Sequence, residues 1–304
     1  MKNVTVTKYI EGGCIRGREM RFIIMQTFNG ISYGAIIFLL ASGLSIIFGV
    51  MDIVNMAHAS YYLLGGYVGL TVMWWSGNFY LAIVCGMIVG ILLAVFMERF
   101  FLRVLEGKLL GQLLITVGFM FFFQDLALVI WGGDPHWLVA PAYLTKSIKI
   151  GKLIFPGFRV FIIALATAVA VGLWWLQEKT RFGAMLRASV DDREMAEGVG
   201  IKFPLVSSGA FALGGGLAAL AGVVGSAYLS VFPGVDFEIL PFAFVTVIVG
   251  GCGSLRGAVV GSIIVGLIDN FGKAIFPELS YFTMFAPMAV ILAVRPSGLF
   301  GRAT

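Results

Sequence analysis

Asp52, Asn55 and His58 lie close together in a stretch that is otherwise apolar or small. A carboxylate, an amide and an imidazole at this spacing offer several hydrogen-bond donors and acceptors to a polar solute. Two further polar groups interrupt apolar sequence: Gln124 with Asp125, and Asp269 with Asn270. Polar side chains are costly where the surroundings are hydrocarbon, so each group is a candidate for lining a solute path. The competing reading is an interhelical hydrogen bond or a helix end close to water. Patterns of covalent chemistry are missing. Residues 30–34 (GISYG) match G-x-S-x-G, but a nucleophilic serine needs a strand-to-helix elbow with a histidine and an acid in reach. Ser32 instead lies inside an apolar run. There is no G-x-x-x-x-G-K-S/T, hence no P-loop for a nucleotide, and no H-E-x-x-H. Two histidines, His58 and His136, are too few for a protein metal cluster. Cys14, Cys85 and Cys252 show neither a disulfide framework nor metal-ligand spacing.

The elements that must position these residues are read from hydropathy. The 304-residue chain is 60% hydrophobic and only 12% charged, with a mean hydropathy of +0.98. Soluble domains carry about 25% charged residues to cover their surface; a surface solvated by lipid needs few. No Asp, Glu, Lys or Arg occurs over 22–51, 53–97 or 203–235, and a helix crosses a bilayer with about 20 apolar residues. Spanning strands alternate polar and apolar residues, whereas these runs are apolar on every face. The predicted fold is all-α: a polytopic transmembrane helical bundle of about eight or nine spans. The spans are placed at 22–50, 56–75, 79–97, 109–131, 158–177, 204–229, 238–252, 256–272 and 279–295. They form a single domain over 22–300, after a polar, basic tail at 1–21 that does not fit a signal peptide. The glycine-rich stretch at 250–257 weakens the seventh and eighth spans, so one or both are candidate half-helices. The stretch around Asp52–His58 is a candidate broken or re-entrant segment.

Loop charge sets the orientation, because basic loops stay in the cytoplasm. Arg99, Arg103, Lys108, Lys179, Arg181, Arg187, Arg193, Lys202, Arg256, Arg295 and Arg302 then lie inside, against Lys146, Lys149, Lys152, Arg159 and Lys273 outside. That parity puts the N-terminus outside, in conflict with the basic tail. Small residues recur every four positions at Ala210, Gly214, Ala218, Gly222 and Ser226, at Gly86, Gly90 and Ala94, and at Gly253, Gly257 and Gly261. Such stripes let helices approach closely in lipid. The net charge of +5 does not suggest a nucleic-acid partner, because the basic residues sit in loops facing membrane surfaces.

The loop at 178–203 is the most charged internal stretch. Within it, Asp192, Ala196 and Gly200 are spaced by four and would share one face of a helix over 187–201. A short helix with a small-residue face can dock into a groove on another protein. An ordinary solvated loop is the alternative.

Four ordered motifs resemble the permeases of the branched-chain amino acid ABC importers, the hydrophobic amino acid uptake family. They are GLSIIFGVMDIVNMAHASYYLLGGY at 43–67, LRASVDDREMAEGVGI at 186–201, GGCGSLRGAVVGSIIVG at 250–266 and RPSGLFG at 295–301. Ala59 departs from the family, many of whose members have glycine after the histidine. The residues before Met20 have no family counterpart, which leaves Met20 as an alternative start. The resemblance implies a multi-pass permease of the bacterial inner membrane that moves branched-chain or related hydrophobic amino acids. Relatives carrying urea, short amides or aromatic acids leave the solute open. It implies a second permease subunit, two ATP-binding subunits and a periplasmic solute-binding protein. No cofactor is expected in this chain; ATP and Mg would bind the partner ATPases. By the same resemblance 186–201 is the coupling segment. Ala196 and Gly200 would face the ATPase groove, with Arg187, Asp191, Asp192, Arg193 and Glu194 supplying charge around the contact. A secondary transporter or channel would need a charge relay through several spans, and an enzyme would need a convergent catalytic set.

Overall fold

In hydrocarbon a backbone N–H or C=O finds no water, so an apolar run satisfies itself by becoming a helix. The computed structural model describes residues 3–51, 54–150, 153–275, 277–295 and 297–301. Asp52 lies outside them. The helices are α1 (Asn3–Met51), α2 (His58–Ser76), α3 (Phe79–Met97), α4 (Leu109–Trp131), the short α5 (Ala142–Thr145), α6 (Gly157–Lys179), α7 (Arg181–Asp191), α8 (Arg193–Gly198), α9 (Phe203–Tyr228), α10 (Val235–Gly250), α11 (Leu255–Ile275) and α12 (Ser280–Val294). A small antiparallel hairpin, β1 (Ile148–Ile150) with β2 (Leu153–Phe155), pairs Ile148 with Phe155. It sits in the loop between α4 and α6, so the all-α expectation holds for the bundle, and the strands of the described residues lie in that loop.

Every segment expected to span is helical. Among the described residues six helical stretches are long and apolar enough to cross a bilayer: Met20–Met51, Phe79–Leu102, Leu109–Trp131, Gly157–Lys179, Phe203–Tyr228 and Leu255–Ile275. The eighth expected span is thus a full helix, α11. Its predecessor α10 is the short one, at 16 residues. The separating turn needs glycine, since Gly251 and Gly253 have φ of 99° and 75°. Helix ends follow local chemistry. Gly77 closes α2 in the left-handed region, and the Asn78 side chain accepts from the backbone N–H groups of Tyr80 and Leu81 to start α3.

The bundle is layered. Helices α1 and α9 are its centre, while α3, α4 and α6 expose most of their apolar faces, as expected of helices solvated by lipid. The glycine stripes bring the centre together. A Cβ at Gly34 would come 2.6 Å from the Ser262 carbonyl oxygen, and one at Gly43 would come 2.6 Å from that of Gly214. Overpacking of this kind costs about 1–3 kcal/mol, so these positions fix how close α1 lies to α9 and α11. Indole rings mark both ends, with Trp74 and Trp75 at the end of α2 and Trp174 and Trp175 near the end of α6 exposed, the distribution favoured at membrane interfaces.

Candidate functional site: a buried helix break between two cavities

Helix α1 ends at Met51 and α2 begins at His58, and the intervening Asn55 is fully buried. The His58 ring reaches back into α1, with Nε2 3.0 Å from the carbonyl oxygen of Leu40. That oxygen can only accept, so Nε2 carries the hydrogen and Nδ1 is left a bare acceptor. Nδ1 is buried and has no partner. Leu40 is eleven residues before Met51, about 16 Å along a helix, so α2 starts well inside the bundle. The Tyr61 ring packs edge-on to His58 at 5.9 Å. Its hydroxyl neighbours the Asn55 amide without meeting hydrogen-bond geometry, and both Asn55 side-chain polar atoms are unpartnered.

A second buried helix start faces the first. Asp236, in the first turn of α10, is fully buried and accepts a 3.0 Å hydrogen bond from Ser60 through Oδ2. Its Oδ1 meets no partner at hydrogen-bond geometry among the described residues. Neither Ala57 before α2 nor Gly234 before α10 gives a side-chain cap. Two positive helix ends therefore converge with unused hydrogen-bonding groups, the arrangement of discontinuous helices at a solute site. Sequence reading found Asn55 and His58 but missed Ser60 and Asp236. The expected span starts at 238, although an acid two residues after the Pro233–Gly234 turn is a helix-start signal.

The other candidates disperse. Gln124 borders this region, since a Cβ at Gly234 would lie 3.3 Å from its amide nitrogen. Asp125 is exposed on the outer face of α4, away from the break. Asp269 and Asn270 line a separate cavity of about 430 Å³ together with Tyr33, Glu238, Phe242 and Lys273. A second cavity, of about 630 Å³, is lined by Ser45, Met51, Arg187, Arg193, Phe203 and Ser254. The cavities lie toward opposite ends of α1, and Ile36, Ile37, Leu39, Leu40 and Ala41 between them have 0% exposure. A packed layer of α1 separates the two cavities.

At the end bearing α7 and α8, a different polar cluster closes the bundle. Helix α3 runs on as a π-helical turn, Glu98–Leu102. Glu98 is fully buried. Its Oε1 accepts from Arg103 Nη2 at 2.6 Å and from Ser207 Oγ at 2.9 Å, and its Oε2 accepts from Ser208 Oγ at 2.7 Å. Arg103 also donates to the Pro204 carbonyl oxygen. The end of α3 is thus fastened to the start of α9.

The segment expected to be one helix over 187–201 is two. Asp192 leaves helical geometry at φ −154° and caps α8, accepting from the Met195 N–H. An aspartate able to cap a new helix competes with continuation of the old one. Asp192, Ala196 and Gly200 therefore do not share a helix face. Ala196 is buried against the protein itself, and Gly200 follows α8 in a turn at φ 91°. The exposed apolar side chains of α8 and its end are Met195 and Val199, which sequence reading passed over. Arg193 pairs with Glu106 and Glu197 and lies 3.6 Å over the Phe203 ring, linking α8 to the loop after α3 and to α9. Arg187 approaches Glu178 at 3.8 Å. Glu194 stands in the first turn of α8, and Asp191 ends α7.

Comparison with known proteins places the chain. The profile of the family described as "Branched-chain amino acid transport system / permease component" matches residues 26–292. The high-affinity branched-chain amino acid transport system permease protein BraD of Pseudomonas aeruginosa is 26% identical over 301 residues, covering 93% of this chain and 97% of that protein. LivH of Escherichia coli K12, described in the same words, is 26% identical over 306 residues at the same coverage. The autoinducer 2 import system permease protein LsrC of Salmonella paratyphi B is 30% identical over 166 residues, 51% of this chain and 45% of that protein. The match is nearly end to end, and this chain belongs to the branched-chain amino acid transport system permease family.

Proposed function

We propose that this chain is the membrane-spanning permease subunit of an ATP-driven importer that carries branched-chain or related hydrophobic amino acids into the cytoplasm of a bacterium. The observation that carries the reading is the pair of cavities toward opposite ends of α1, separated by a packed layer beside a polar helix break. That is the anatomy of alternating access, in which one side opens as the other closes. A second permease subunit completes the path. Two ATP-binding subunits supply the energy, and ATP and Mg bind to them, not to this chain. A periplasmic solute-binding protein delivers the amino acid. The polar break presents Asn55, His58 and Asp236 to the passing solute, with Gln124 at its border; Asp52 is a further candidate.

The chain crosses the inner membrane about nine times, with α2 and α10 as the two helices that begin inside it. The N-terminal end of α1 is outside. Met51, Glu98, Arg103 and the start of α9 gather at one end with α7 and α8, which is the cytoplasmic end because the basic loops are there. Helix α8 is the coupling element. Met195 and Val199 fill the groove of an ATPase subunit, and Arg193 passes the motion to α9 and the loop after α3 as a rigid body.

The test is purification of the tagged chain from cells bearing the whole system, followed by reconstitution. An ATP-binding subunit co-purifies, and ATP drives uptake of labelled L-leucine from its binding protein. Leucine exchange by the chain alone, unaffected by ATP, would make it a secondary transporter.

A further inference from the structure

We propose that the outer cavity is a zwitterion site, which holds the amino acid by both of its charges between release from the binding protein and entry to the helix break; this rests on the import reading above. The cavity is walled by α1, the turn joining α9 to α10, α10 and α11. Its volume of about 430 Å³ suits a small ligand, since such sites run from about 300 to 1,000 Å³.

Its polar groups are incomplete in a specific way. The Asp269 side chain is 4% exposed, and its Oδ2 accepts from Lys273 Nζ at 2.8 Å. Its other oxygen, Oδ1, is buried with no partner among the described residues. A buried carboxylate oxygen left unpaired is costly and requires an explanation. The missing partner must be a donor, and an ammonium group is the strongest that a small solute brings. Lys273 is about half exposed. It has three N–H donors and no acceptor, so it retains donors for a carboxylate. An amino acid carries its ammonium and carboxylate on one carbon, and Asp269 and Lys273 present the two complementary charges side by side on one face of α11. Glu238 adds a second acceptor at the rim.

The remainder of the wall suits a branched apolar side chain. Tyr33, Ile239 and Phe242 line it, and the Tyr33 and Phe242 rings hold Lys273 Nζ at 5.5 Å from their centroids, which fixes the ammonium toward the cavity. The turn between α9 and α10 contributes Ser230, the one non-glycine residue with positive φ among the described residues, at 124°. Backbone strain of this kind persists where surroundings over-determine a conformation, and it gathers at ligand clamps.

The experiment uses the assembled transporter in nanodiscs, with Cys14, Cys85 and Cys252 replaced by serine and Asn270→Cys as the reporter. A membrane-impermeant maleimide labels the reporter. L-leucine slows the labelling, whereas leucinamide, which has only the ammonium, and isocaproate, which has only the carboxylate, do not. In Lys273→Met, half-protection takes about tenfold more L-leucine, the size of one charge-assisted hydrogen bond. Leu229→Cys, on the same wall, is the reporter if Asn270→Cys fails to assemble. Equal protection by all three compounds overturns the site. So does no protection by L-leucine in a complex that still imports it, and in both cases the import reading stands. A parent complex that lacks ATP-driven leucine uptake overturns both.

Discussion

The bundle buries two polar clusters of similar size and opposite character. Around Glu98 every carboxylate oxygen is answered, by Arg103, Ser207 and Ser208. Around the helix break the reverse holds: Asn55 lacks partners on both polar atoms, and His58 Nδ1, the Tyr61 hydroxyl and Asp236 Oδ1 are unanswered. A saturated buried network rigidifies its surroundings, while an unsaturated one pays a standing penalty that a solute can relieve. The first is a clamp between α3 and α9 at the end bearing α7 and α8. The second is a set of buried polar groups with hydrogen-bonding capacity to spare.

The contrast can be broken by measurement, and the largest effect falls on the clamp. Glu98→Ala leaves Arg103 and two serines without their acceptor. Because Arg103 is partly exposed, the loss of stability should lie near the low end for a broken buried pair, about 3 kcal/mol. Thermal unfolding in detergent reads it. A cost under about 1 kcal/mol would show that the clamp is loose.

Smaller losses follow from its neutral partners. Ser207→Ala removes one hydrogen bond to a charged group, about 1.5 kcal/mol, and Ser208→Ala removes two, one to Glu98 and one from Arg103, so its loss should be the larger. Their effects should not add to that of Glu98→Ala, since all three act through one carboxylate. Additive melts would separate the serines from the network.

The helix break should answer in the other currency, transport. Asn55→Ala removes no hydrogen bond, so stability should change by less than about 1 kcal/mol. Uptake of L-leucine by reconstituted vesicles should fall by about tenfold or more, the worth of one hydrogen bond to the solute. His58→Ala should also impair uptake while assembly survives. Unchanged uptake in both variants would reduce the cluster to packing and erase the contrast.

The smallest effect on folding is expected at α8. Met195→Asp changes an exposed side chain and should move stability by no more than about 0.5 kcal/mol. Co-purification of the ATP-binding subunit should nevertheless be lost. Retention of the partner would move the coupling contact away from Met195 and Val199.

Several features were legible in the chain itself. The positions of the spanning helices followed from uncharged apolar runs, because a backbone in hydrocarbon has no partner but itself and that constraint acts locally. The close packing of Gly214 and Gly222 followed from the four-residue spacing of their stripe, whereas Gly34 and Gly43, which lie in no such stripe, were not foreseen. Asn55 and His58 stood out as polar residues in an apolar context, and four ordered motifs identified the family. Local capping was harder to foresee. Asp192 could continue a helix or start a new one, and its extended backbone with the cap on the Met195 N–H shows that it starts one.

What tertiary structure alone decided is which polar groups are answered. Ser60 meets Asp236 across 176 residues, and Glu98 meets Ser207 and Ser208 across 109 and 110. Glu98 and Asp236 both flank long uncharged runs, where each reads as an ordinary helix end near water. Folding buries both and gives one a full set of donors and the other half a set. Composition and periodicity are local properties and fix the bundle and its helices. Satisfaction of a buried charge depends on partners brought together from distant segments, and the contrast between the answered and the unanswered cluster arises there.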